Sequence, residues 1–233
     1  MNMKMKWIFG VAVLGLSLPV MATQDFVSCE DFAPYVGVDA KWNSMRFKKT
    51  AGDNLIQKNY PQGNLFGGVK FNDYFGLELG YESTTRRNKT ATAAVGDNFF
   101  GDIVDPPEPV NYSKTKTKIS GFHLNVVGFY PICEEYCLSL FGSLGLAQLK
   151  LKSHLDFSVP TNPRVVGLDF SKQKLVPRAT LGIQHMLCEN IGVRAMFGWE
   201  RTSAFKNVKA KNSTLFMSPK DSVSIGLGVF YNF

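Results

Sequence analysis

The chain has 233 residues, 45% of them hydrophobic and 13% aromatic, with a formal net charge of +7. Its mean hydropathy of -0.06 excludes a bundle of membrane-spanning helices, because each such span needs roughly 20 consecutive apolar residues. The length fits one domain or at most two. The basic balance suits anionic lipid headgroups or lipopolysaccharide phosphates; nucleic acid is not expected as a partner of a secreted chain.

The first element reads as a leader. Lys4 and Lys6 precede the apolar run from Trp7 to Leu18, and Val20, Met21 and Ala22 follow it. A charged start, a short apolar run and a small residue at the cleavage site define a secretory signal peptide. Residues 1–22 are therefore read as signal peptide and residues 23–233 as one barrel domain. Loss of Lys4 and Lys6 leaves a charge of +5 on the mature chain.

Beyond Thr23, alternation with a period of two recurs. Val36, Val38, Ala40 and Trp42 share one parity, then Leu65, Val69 and Phe71, then Phe75, Leu77, Leu79 and Tyr81. Phe122, Leu124, Val126 and Tyr130 form the fourth run. In the fifth, Leu138, Leu140, Leu144 and Leu146 share a face that Gln148 breaks, and Leu149 and Leu151 take the other parity. That switch predicts a bulge or a strand leaving the apolar layer. Leu181, Ile183 and Leu187 follow, then Val193, Ala195, Phe197 and Trp199, and finally Ile225, Leu227, Val229, Tyr231 and Phe233. Strict alternation signals β-strands with one apolar face, and there are eight such runs.

The connections alternate too. Asn72-Asp73, Pro131 to Tyr136 and Cys188-Glu189-Asn190 are short; the segments around 48–63, 83–115, 153–173 and 202–220 are long and polar. Short turns on one side and long loops on the other are the pattern of outer-membrane barrels. A lipocalin-like barrel would turn the apolar face inward, but volume argues against it. Eight strands enclose a lumen just wide enough for side chains, and the roughly thirty side chains of the apolar face exceed it. The predicted fold is thus all-β, a closed eight-stranded antiparallel transmembrane barrel. Trp42, Tyr81, Tyr130, Trp199, Tyr231 and Phe233 sit near strand ends, as interfacial girdles do.

The last strand, from Val223 to Phe233, resembles the C-terminal insertion signal of outer-membrane barrels. Phe75-Gly-Leu-Glu-Leu-Gly-Tyr81 and Ile191-Gly-Val-Arg-Ala195 resemble strands of the OmpA-like and opacity-type eight-stranded barrel family. The resemblance implies a place in the bacterial outer membrane. It also implies insertion by the barrel-assembly machinery, with Tyr231 and Phe233 as part of the signal. Longer members carry a peptidoglycan-binding domain after the barrel; for a chain ending at the barrel, a tethering role is not expected.

Among chemistry-bearing residues, Glu78 and Arg194 fall on the polar parity near mid-strand. In a narrow lumen an unpaired charge is very costly, so they are expected in an ion-pair network that Lys41, Lys70, Glu82, Arg178 and Glu200 extend. The resemblance points the same way. His123 reads as an interior residue, His154 as a loop residue and His185 as lying near the lipid-facing end of its strand. Cys29, Cys133, Cys137 and Cys188 all fall at the periplasmic end, in an oxidising compartment that favours disulfides. Three connectivities are open; Cys133–Cys137 with Cys29–Cys188 is the preferred one. No metal site or cofactor is expected. Lys206, Lys209, Lys211 and Lys220 make the last long connection basic and without acid before Asp221. They suggest contact with lipopolysaccharide or a host surface polyanion. The expected role is structural and surface-interacting, by adhesion or lipopolysaccharide contact. The alternatives are a lipid-A-modifying barrel enzyme and a narrow pore.

Overall fold

The computed structural model describes residues 32–47, 56–94, 98–99, 102–103, 110–133, 137–159, 162–205, 208–209 and 216–233. The predicted leader and Cys29 lie outside them. The alternating runs form β1 (Ala33–Phe47), β2 (Asn59–Lys70), β3 (Phe75–Thr84), β4 (Arg87–Ala93), β5 (Val110–Cys133), β6 (Leu138–Val159), β7 (Asn162–Met186), β8 (Ile191–Glu200) and β9 (Pro219–Asn232). The sheet runs β3-β2-β1-β9-β8-β7-β6-β5-β4, and a direct β3–β5 pairing closes it. All these pairings are antiparallel, and the closed ring has eight strands. β4 resumes the line of β3 along β5 after a break at Thr85 and Arg86.

Closure gives each parity a fixed destination. The apolar parity points out: Leu144 is 70% exposed and Leu227 69%, and Val38, Leu79, Phe122, Leu181 and Ile225 join them. The polar parity points in, burying Asp39, Glu78, His123, Arg178 and Arg194. That inverted distribution is the expected one for a barrel whose solvent is lipid. On β5 the lipid-facing residues run from Phe122 to Tyr130, a length that spans the hydrocarbon layer.

The reading of two of the long connections needs correction. The segments around 83–115 and 153–173 are not simply loops. β4 and the upper part of β5 occupy most of the first, and β6 and β7 run through the second to a tight hairpin near Val159 and Asn162. Paired strands therefore continue well past the membrane on one side, with β5 alone extending roughly 40 Å along its length beyond Phe122. Nor is there a bulge at Gln148, which pairs with Phe122 on one side and Leu175 on the other in unbroken register. The strand leaves the lipid layer instead. Above it the outside is wet and the inside is dry, so Leu149, Leu151 and Leu155 turn inward on the same pleat.

Those leucines belong to a second interior. Met45, Phe47, Ile56, Tyr60, Ile119, Val176, Phe170, Phe205, Val208 and Met217 pack with them into one buried apolar cluster. The 3-10 turn Thr202–Phe205 brings Phe205 into it, and the two-residue ladder of Val208–Lys209 with Phe216–Met217 brings Val208 and Met217. Burial of such side chains, at roughly 1.5–3 kcal/mol each, holds the upper wall and part of the last connection together. Leu151→Ala is predicted to destabilise the folded barrel by about 2–5 kcal/mol, read from the urea midpoint of the heat-modifiable gel shift in detergent. Leu144→Ala, on the lipid side, should shift that midpoint far less.

Candidate functional site: the lumen and the outer wall

The lumen is built in tiers. At the periplasmic end Tyr35, Phe66 and Phe230 pack edge to face, and Val127, Phe129, Phe141 and Met196 form a second apolar cluster. Above them sits Arg194 of β8. Its Nε and Nη2 donate to the two oxygens of Asp39 on β1 at 2.8 and 2.7 Å, and its Nη1 donates to Glu78 Oε2 on β3 at 2.7 Å. The guanidinium carbon also lies 3.6 Å from the Phe66 ring centroid. This forked geometry satisfies a planar cation buried in the wall-to-wall packing of the lumen.

The network spreads from Asp39. Asn64 Nδ2 donates to Asp39 at 2.7 Å, and the Asn64 carbonyl stands 2.9 Å from His123 Nε2. Asn125 Nδ2 donates to His123 Nδ1 at 3.2 Å, which assigns the proton to Nε2. One tier higher, Arg178 of β7 bonds Glu82 at 2.9 Å and Glu200 at 3.2 Å. Asn43 Nδ2 donates to Gln62 beside this tier. Large inward groups need bare backbone opposite them. A Cβ on Gly228 would lie 2.0 Å from Asp39 Oδ1, and one on Gly80 would lie 2.4 Å from His123 Nε2.

The structure thus joins Glu78, Arg194, Glu82, Arg178 and Glu200. Lys41 is buried among them without a salt bridge to any, and it lines a cavity of about 10 Å³ with Glu78, Asn125 and Arg194. Lys70 stands apart at the periplasmic mouth, its ammonium 4.9 Å from the Phe129 ring. Sequence reading missed Asp39, Asn64 and Asn125. Asp39 shares the polar parity of Lys41, which was the available signal, but parity alone does not say which polar residue meets Arg194 across the lumen.

Tyr231 and Phe233 face outward at the periplasmic rim with rings 5.2 Å apart, and the Phe233 amide bonds the Pro34 carbonyl at 3.0 Å. The expected Cys133–Cys137 bridge is not formed. Cys133 carries no disulfide, and across the hairpin it pairs with Leu138. Cys188 is exposed and unbridged, and its proposed partner Cys29 lies outside the described residues. Of the basic cluster, Lys209 and Lys220 are exposed, while Lys206 and Lys211 lie outside the described residues.

The outer wall above the membrane carries a chain of charges. His154, on a strand and not in a loop, holds Asp169 through Nδ1 at 2.7 Å and Asp156 through Nε2 at 2.8 Å. Asp156 also accepts from Lys116 at 3.2 Å. Hydrogen bonding to Asp169 raises the His154 pKa above its ordinary 6.5; burial opposes this, and Asp156 adds to it. Burial alone would raise the Asp156 carboxyl, but Lys116 and His154 hold it below the usual carboxylate range. Ser153, the neighbour of His154, points inward and shares a 2.8 Å bond with Thr117.

A closed barrel with an apolar exterior, a polar lumen and a tall extracellular wall defines an integral protein of the bacterial outer membrane. The sequence profile described as outer membrane protein beta-barrel domain matches residues 9–233, and the chain belongs to that family. A major outer membrane protein from Thermus thermophilus is 12% identical with a TM-score of 0.53, covering 87% of this chain and 99% of its own. Ail, the attachment invasion locus protein of Yersinia pestis, in complex with the heparin analogue sucrose octasulfate, is 16% identical with a TM-score of 0.46 over 87% of this chain and 99% of that one. The outer membrane protease OmpT from Escherichia coli is 12% identical with a TM-score of 0.46, over 87% and 96%. A search of curated proteins returns no match.

Arg194→Ala leaves Asp39 and Glu78 buried without their cation. It is predicted to cost roughly 3–5 kcal/mol, measured by urea unfolding; an unchanged midpoint would remove the network from the account of stability. The sign for His154 is the reverse of a carboxylate's. Its raised value means that its stabilising bonds are fully present below pH 6.5 and fade as pH climbs through the folded-state value. An NMR titration should place His154 above 6.5, and Asp169→Asn should bring it down.

Proposed function

We propose that the protein is a non-conducting, non-catalytic barrel of the outer membrane, with a structural role in the envelope and a surface-interaction role outside it. The observation that carries this is the filled lumen. An aromatic floor, two arginine-centred ion-pair tiers and an apolar ceiling succeed one another along the axis. The cavity beside Lys41, about 10 Å³, has room for about one water and offers no path to a hydrated ion. With the interior occupied, contact falls to the wall and connections above the membrane. There Lys209 and Lys220, with Lys206 and Lys211 nearby in sequence, favour a polyanion such as lipopolysaccharide or a host surface polysaccharide. We read residues 1–22 as the leader removed on export, and Tyr231 and Phe233 as the signal read by the assembly machinery.

The lipid-modifying alternative needs a histidine with a free nitrogen to act as base. Both nitrogens of His154 are engaged by carboxylates, and those of His123 by Asn64 and Asn125; His185, paired with Leu138 and Val193, lies at the periplasmic end of the wall, away from the outer leaflet. In planar bilayers the refolded protein is expected to give no steady conductance; stable open steps would restore the pore reading. Immobilised heparin or lipopolysaccharide should retain the wild type, and neutralising Lys206, Lys209, Lys211 and Lys220 to Gln should weaken retention. Undiminished retention would refute the role of that connection.

A further inference from the structure

The charge chain on the outer wall requires one protonation state. His154 presents Nδ1 to an oxygen of Asp169 at 2.7 Å and Nε2 to an oxygen of Asp156 at 2.8 Å. A carboxylate only accepts hydrogen bonds, so both ring nitrogens must donate, and only the imidazolium carries two N–H groups. A neutral ring would set a bare nitrogen lone pair against one of the two carboxylates. The ring lies over the open backbone of Gly167, where a Cβ would meet its Cε1 at 3.3 Å and its Nε2 at 3.5 Å.

Four strands surround His154 on this face. β5 offers Lys116 directly across, with Lys114 and Lys118 on either side; β6 itself offers Lys152 and Asp156; β7 offers Asp169. β4 brings Asn88 and Thr90, which are uncharged. The two carboxylates are not equivalent. Asp156 is 21% exposed and is held from its other side by Lys116 at 3.2 Å. Asp169 is 78% exposed, and among the described residues His154 is its one salt-bridge partner.

Asp169 also sits where the wall has least support. β8 ends at Glu200 opposite Arg178, so among the described residues the upper part of β7 ladders only with β6. On the inner side Phe170 anchors this edge in the apolar cluster. On the outer side the bond from His154 to Asp169 ties it to β6. An edge strand with one ladder and few buried contacts is where local opening begins.

We infer that His154 works as a proton-operated clasp on the edge of the outer wall. As the imidazolium it ties Asp169 of β7 to Asp156 of β6 and, through Asp156, to Lys116 of β5. On deprotonation Nδ1 gives its proton to solvent, Nε2–H stays on Asp156, and the exposed Asp169 turns out into water. The top of β7, from Asn162 to Asp169, then opens more often, while the Phe170 anchor and the barrel below keep their structure. The sign follows the raised pKa of His154: the clasp is fully closed below pH 6.5 and opens as pH climbs through the higher folded-state value. It is independent of the loop lysines and of any ligand they hold.

The test uses the full folded protein in detergent micelles at about pH 5.5 and about pH 9, on either side of the histidine range. Hydrogen exchange, corrected for its intrinsic pH dependence, should show peptides over Val166–Asp169 roughly two- to fivefold better protected at the acid pH, the scale of an exposed ion pair. The seam between β1 and β9 should show no such change. His154→Gln and Asp169→Asn should each remove the difference and keep the gel shift. Asp221→Asn, which breaks the separate pair with Arg46, should retain it. Ring-nitrogen NMR spectra at the alkaline pH should show the Nε2–H tautomer. Equal protection at the two pH values in the wild type, or a difference that survives in either clasp variant, would overturn the clasp. The Nδ1–H tautomer at alkaline pH would overturn the assignment of Asp169 as the carboxylate released.

Discussion

The pairing of β1 with β9 is the constraint on which everything else depends. In the hydrocarbon layer no water is present to satisfy an exposed amide or carbonyl, so a sheet can cross only if it has no edge. The seam runs from Tyr35 against Asn232 up to Phe47 against Pro219 and joins the first strand to the last. Once it forms, every residue on a strand points either to lipid or to the lumen. A slip of one residue would exchange the two faces entirely. Val38, Ala40 and Trp42 would then enter a lumen too narrow for them, while Asp39 and Lys41 would enter lipid.

That constraint applies twice, with opposite outcomes. Within the membrane, lipid takes the apolar parity and the lumen takes the charges, which pair because isolated ions there are too costly. Above the membrane, water takes the polar parity and the interior becomes an ordinary apolar core around Leu149, Leu151, Leu155 and Phe170. β6 passes through both regimes without changing register, which is why its hydrophobic residues change parity at Gln148. The ion pairs set position more than they add net stability, since desolvating them offsets much of their attraction. Arg194 connects β8 to β1 and β3, and Arg178 connects β7 to β3 and β8. Each cation thereby holds opposite walls at one spacing.

Side chains fill the described lumen, and membership of a barrel family does not choose among roles for what lies outside it. What distinguishes this chain is asymmetry. β5, β6 and β7 stand far above the bilayer while β2, β3 and β8 end near it. The raised side offers one broad wall, basic close to the lipid surface and mixed in sign further up. A wall made of paired strands presents its charges at fixed spacing, as a mobile loop does not, and preorganised charges bind with less ordering cost.

The sequence by itself determined the class of fold, the strand count of the ring and the direction of the apolar face. These follow from a local period of two and from the small volume that eight strands enclose. It also marked Glu78, Arg194, Glu82, Arg178 and Glu200 as interior charges, because a charged residue on the lumen parity has nowhere else to go. Only the tertiary structure decided their partners, since meeting across the lumen depends on strand tilt and stagger, which no single strand encodes. Asp39 was selected for Arg194 in this way, and Lys70 was left outside the network. The tertiary structure also decided that two apparent loops are raised strands. Their residues, such as Lys114, His154, Asp156 and Asp169, are polar on one face, and a polar stretch reads as loop until a buried leucine on the other parity, here Leu155, is known to have a core to fill.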